Sequence, residues 1–87
     1  MSLKLITFSI FDESKKAECI EYIKSFEHIE VAGSSFIINN SQPLDLLRRE
    51  IAYFTDKADE LILVKLREND FLTFHLGSKR KWIEERL

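Results

Sequence analysis

Nucleophiles, bases and metal ligands are sparse in this chain, and their spacing limits what they can do. The two histidines, His28 and His75, lie far apart, and neither has an H-x-x-H or C-x-x-C partner. A zinc site needs clustered ligands and finds no support here. The single cysteine, Cys19, cannot close an internal disulfide, which points to a reducing compartment. It falls beside a helical apolar stripe and reads as a buried structural thiol rather than a nucleophile. No G-x-G-x-x-G, P-loop or G-x-S-x-G is present, so nucleotide-cofactor chemistry and serine hydrolysis have no motif. Glu18, Glu21 and Glu50 read as solvated helix faces. Basic residues gather in three places, Lys15-Lys16, Arg48-Arg49 and Lys79-Arg80-Lys81, and these are the candidate contacts to nucleic-acid phosphates.

The elements that must carry these residues follow from composition and periodicity. Eighty-seven residues make one domain. Thirteen Lys and Arg against 15 Asp and Glu give a net charge of -2, too balanced for a polybasic arm or an acidic tail. Hydrophobic residues make up 45% of the chain and glycine plus proline only three positions, which excludes disorder and long irregular loops. No apolar run approaches a membrane span and the N-terminus lacks a signal-peptide pattern, so the expected location is the cytoplasm, away from membranes.

Leu3 to Ile10 is β-prone, with Ile6, Phe8 and Ile10 on one face. Asp12 is the N-cap of a helix over 13–26, whose stripe is Ala17, Ile20, Ile23 and Phe26 with Cys19 beside it. His28 to Ala32 and Ser35 to Asn39 form a hairpin through a two-residue type II′ turn at Gly33-Ser34. Ser41 or Gln42 caps the next helix, with Pro43 in its first turn. There Leu44, Leu47, Ile51 and Phe54 line one side and Asp45 pairs with Arg49. Leu61 to Leu66 and Phe71 to Leu76 are two more strands, and a short helix over 79–87 closes the chain. The expected fold is a ferredoxin-like β-α-β-β-α-β antiparallel sheet of order 4-1-3-2, with a core of about 3–66 and an added C-terminal strand and helix over about 71–87.

Several strands carry apolar residues on both faces: Leu5 opposes Ile6, Ile37 lies between Phe36 and Ile38, and Ile62 and Val64 alternate with Leu61 and Leu63. A sheet with a solvated back would show polar residues there. At this size burial and ordering entropy nearly cancel, so a homodimer is expected, by sheet stacking or by exchange of the fifth strand. Trp82, Ile83 and Leu87 must dock on the sheet or on a partner for the last helix to be ordered.

The segments Ser35-Phe36-Ile37-Ile38-Asn39, Leu44 to Phe54 and Asp59-Glu60-Leu61-Ile62-Leu63-Val64-Lys65-Leu66 resemble the small proteins known as SinR-like, relatives of the dimeric CRISPR-associated scaffold of the spacer integrase. More distantly the chain is similar to VapD-type toxin ribonucleases. The likeness spans about residues 3–76. It implies a ferredoxin-like homodimer that in some members cleaves nucleic acid with a divalent metal. In the CRISPR-associated members a Tyr-Asp pair closes the first strand, and the aspartate serves the metal. Here Phe8 and Ser9 stand at those positions, and a hydroxyl is a poor ligand for a hard cation. Two readings result. One is a non-catalytic interaction or nucleic-acid-associated module; the other is an endoribonuclease using Mg2+ or Mn2+, with Asp12 in place of the lost carboxylate. A small-ligand regulatory domain is a third, hinted at by Ser9, Ser34 and Ser35.

Overall fold

The computed structural model describes residues 2–68, 70, 73 and 75–87. Its elements are β1 (Ser2–Ser9), α1 (Glu13–Lys24), β2 (Glu27–Val31), β3 (Ser35–Asn40), α2 (Leu44–Ala52), β4 (Glu60–Lys65) and α3 (Ser78–Glu84). The four strands form one sheet in the order β2-β3-β1-β4, with every neighbouring pair antiparallel. The expected 4-1-3-2 is this order read from the other edge.

Alternation along β1 sorts its side chains between two layers. Ile6 packs on the front with Ile10, Phe36, Ile38, Cys19 and Ile23 of α1, and Leu47 and Ile51 of α2. Leu3 packs on the rear with Val31, Ile37 and Ile83 of α3. Thus α1 and α2 cover one face and α3 reaches the other. The rear that the sequence left for a partner is therefore covered in part by the chain's own tail.

Asp12 caps α1 as expected: Oδ1 accepts from the backbone N–H of Ser14 and of Lys15, each at 3.0 Å. The stripe of α1 is rotated from the expected one. Ala17 is exposed, while Cys19 and Ile23 are fully buried, because the apolar arc is centred on the thiol. Pro43, not Ser41 or Gln42, is the cap residue of α2; it is extended, and its carbonyl accepts from Leu47 N–H at 3.1 Å. Asp45 and Arg49 form no ion pair among the described residues. The β2–β3 turn is also longer than expected. Val31 pairs with Ser35, leaving Ala32, Gly33 and Ser34 in the loop. Positive φ at Ala32 (51°) and Gly33 (76°) has the sign pattern of a type I′ turn, which suits the twist of the flanking strands.

Of the expected fifth strand, Phe71, Leu72 and Phe74 lie outside the described residues. Thr73, His75 and Leu76 are not in a strand, and Leu76 packs against the rear cluster instead. α3 is fixed at its C-terminal end by Arg86. The guanidinium lies 4.1 Å from the Trp82 ring centroid and its Nε is 3.0 Å from Glu27 Oε1. Asn39 donates to the same oxygen at 2.9 Å. Arg86, foremost, and then Asn39 hold the Glu27 carboxyl below its usual pKa.

Candidate functional site

The end of β1 is where the resemblance places chemistry. Ser9 is exposed and pairs with Glu60 across the β1–β4 ladder. Thr7, Phe8, Ser9, Glu60, Leu61 and Ile62 line an open groove of about 410 Å3. Asp12 does not line it. Its Oδ1 accepts from two backbone amides and from Ser14 Oγ, and these bonds, that of Lys15 N–H foremost, hold the carboxyl below its ordinary pKa. Behind it, Lys15 Nζ meets Asp56 Oδ1 at 2.9 Å. Asp59 accepts from the backbone N–H of Phe11 through one oxygen and of Asp56 through the other. These carboxylates cap turns and tie loops together. Among the described residues no group of three or more His, Cys, Asp or Glu side chains converges in a metal-holding cluster.

The basic residues do not share one face. Lys15 and Lys16 belong to α1 and Arg48 and Arg49 to α2, on the front; Lys79, Arg80 and Lys81 lie on α3, at the rear and exposed. Arg80 is engaged by Glu84 one turn on, at 2.8 Å. His28 is half-buried, with Nδ1 2.8 Å from the Phe26 carbonyl oxygen and its ring edge-on to Phe36. His75 is exposed with a φ of 60°. Burial pushes the Cys19 thiol up to about 11, in keeping with a structural role. Ser34 sits in the β2–β3 turn and Ser35 at the start of β3; neither lines the groove that holds Ser9, although Ser35 pairs with Thr7, which does.

Two features escaped the sequence reading. The first is Lys4, whose side chain is 1% exposed. Its ammonium donates to the Asn40 carbonyl at 2.7 Å, to Asn40 Oδ1 at 3.0 Å and to the Gln42 carbonyl. Three neutral acceptors thus saturate its three N–H groups. Burial, and then the charge of Lys65, lower its pKa. Period-2 alternation already places Lys4 on the face of Ile6, so an inward lysine was the available signal. The second is Glu50, which is half-buried rather than solvated: it accepts from Tyr22 Oη and from Gln42 Nε2. Burial, and then this carboxylate, raise the Tyr22 pKa. Together these groups fasten α1, α2 and the end of β3.

The remaining candidate is apolar. Ile62 and Val64 project from the rear of β4 and are 57% and 42% exposed, opposite Thr7 and Leu5 of β1. α3 shields β2, β3 and the start of β1 but leaves this half of the rear open. On the front of the same strand, Leu61 and Leu63 border an open groove with Leu44, Asp45 and Arg48 of α2. Among the described residues, β4 is thus flanked by open space on both faces. No protein-family model matches the chain, and no curated protein matches it.

Proposed function

We propose that this protein is a non-catalytic, ferredoxin-like interaction module that works as a homodimer, the reading that the SinR-like resemblance implies. One observation carries it: among the described residues, α3 packs over the rear of β2 and β3 and leaves that of β4 apolar, with Ile62 and Val64 about half exposed. A second copy is the simplest cover for a half-finished layer in so short a chain. Two further observations favour interaction over cleavage. Ser9 occupies the position at which the resemblance calls for a carboxylate, and Asp12, whose Oδ1 accepts from Ser14 and Lys15 at the start of α1, does not line the groove beside Ser9. The division of basic residues between the two faces gives no preference to a phosphate-binding surface over a protein-binding one.

Sedimentation equilibrium between 10 and 200 µM, concentrations chosen as roughly the range where modest interfaces assemble, tests the reading. It predicts a mass that rises towards twice the 10.3 kDa of the chain. A constant single-chain mass overturns it, and so does Mg2+-dependent RNA cleavage abolished in Asp12→Ala.

A further inference from the structure

The two edges of the sheet are built differently. β2, one edge, carries Glu27, His28 and Glu30, and Glu27 is engaged by Arg86. Charged side chains and a covering helix are the usual means of blunting an edge against further pairing. β4, the other edge, runs Leu61-Ile62-Leu63-Val64 between Glu60 and Lys65, with no proline and no charge inside. Its only strand neighbour among the described residues is β1.

Backbone parity decides which groups of β4 face outward. Leu66 N–H donates to the Leu3 carbonyl at 2.9 Å. In an antiparallel ladder alternate residues bond to the same neighbour, so Leu66, Val64, Ile62 and Glu60 bond towards β1. Leu61, Leu63 and Lys65 direct their N–H and C=O away from it.

Resting on the dimer reading above, we infer that β4 pairs antiparallel with β4 of a second copy, about a two-fold axis at Ile62, to give a continuous eight-stranded sheet. A two-fold perpendicular to the sheet keeps like faces together and pairs residues of equal parity. Centred on Ile62, it sets Ile62 against Ile62 of the second copy on the rear, and Leu61 against Leu63 on the front. Lys65 then falls opposite Asp59. Lys65 has no carboxylate partner among the described residues and lies beside Lys4, whose charge it opposes; Asp59 of the second copy supplies the missing counter-charge. Asp45 and Arg48, both exposed on the α2 side of the front groove, add a self-complementary pair, since antiparallel copies of α2 bring acid to base and base to acid. The strand is therefore matched to itself in backbone parity, in the apolar positions 61 to 63 and in the charges of Lys65 and Asp59.

Amide exchange and cross-linking test this together. At a concentration where sedimentation gives the double mass, the amides of Leu61 and Leu63 are expected to exchange at least 100-fold more slowly than in a sample diluted to the single-chain mass. Under oxidation, Ile62→Cys is expected to give a covalent dimer, because directly opposed residues of a non-hydrogen-bonded pair approach to about 4.5 Å at Cα, within disulfide reach. Val64→Cys, set against Glu60, is expected to cross-link far more slowly. A double mass with unprotected Leu61 and Leu63 amides overturns the pairing and leaves the dimer intact, as stacked sheets would. Faster cross-linking at position 64 than at 62 overturns the register. A single-chain mass at every concentration overturns the pairing and the dimer reading alike.

Discussion

Lys4 is an ammonium held by neutral oxygens alone, and its placement has a measurable pH signature. Its folded pKa lies below the ordinary 10.5 because burial, and then Lys65, disfavour the charged form. Between that lowered value and 10.5 the unfolded chain binds more protons than the folded one, so stability rises with pH through the window; below it, the penalty is constant. Lys4→Met keeps the stem and removes the charge. Urea midpoints of wild type and Lys4→Met, compared from pH 7 to 10.5, are expected to show wild type gaining on the variant as pH rises; a constant difference contradicts this. The raised pKa of Tyr22 acts in the opposite direction above pH 10, but equally in both proteins, and cancels in the comparison. Lys4→Ala, which also deletes the buried stem, is expected to cost about 2–4 kcal/mol. At Asp12 the cap reading predicts that Asp12→Asn retains the thermal midpoint that Asp12→Ala loses, since both Asp and Asn accept at an N-cap.

The elements were largely legible in the sequence, and the misses have physical reasons. Period-2 runs located four strands to within a residue at each end, and Asp12 marked the start of α1. The first-helix stripe was set by counting conventional apolar residues; Cys19, a small hydrophobe in practice, is its true centre. The β2–β3 loop was shortened by assigning Gly33 the only positive φ, whereas Ala32 adopts one too. A left-handed alanine is strained by about 1 kcal/mol, so Ala32→Asn, which gives the Asn-Gly pair favoured in I′ turns, is expected to stabilise by about 0.5–1 kcal/mol in a urea titration. Glu50 was missed because it was assigned to solvent by type rather than by face, and Lys4 because no reading was made of the lysine that alternates with Ile6 on β1. The docking of α3 was legible only as a requirement; which face received it depended on Leu3, Val31 and Ile37 being apolar together. Ile83 is 1% exposed there, and Ile83→Ala is expected to cost about 2–5 kcal/mol. The single tryptophan, Trp82, reports on that docking, and its fluorescence should become that of a solvated indole at lower urea in the variant.

At the scale of the whole molecule, α1 and α2 pack over the front of the sheet but leave a groove beside Leu61 and Leu63, and α3 packs over half of the rear. Among the described residues, α3 packs on the rear of β2 and β3 and not on that of β4, where Ile62 lies at the middle of the strand. A monomer would leave Ile62 and Val64 about half exposed on an edge that no other strand among the described residues pairs with. The proposed dimer would account for both features with one contact. The place proposed for it, on β4, could not be read from the sequence, where Ile37 and Leu5 were as apolar as Ile62 and only the folded tail distinguishes them.

The most direct test of a second copy on β4 uses opposite charges at its centre. Light scattering behind a sizing column is applied to Ile62→Lys alone, Ile62→Glu alone and an equimolar mixture. Ile62 is more than half exposed, so neither change disturbs a buried core. The account predicts a single-chain mass for each variant by itself, through like charges meeting across the axis, and a double mass for the mixture. Variants that dimerise as wild type does, or a mixture that stays at the single-chain mass, would contradict it.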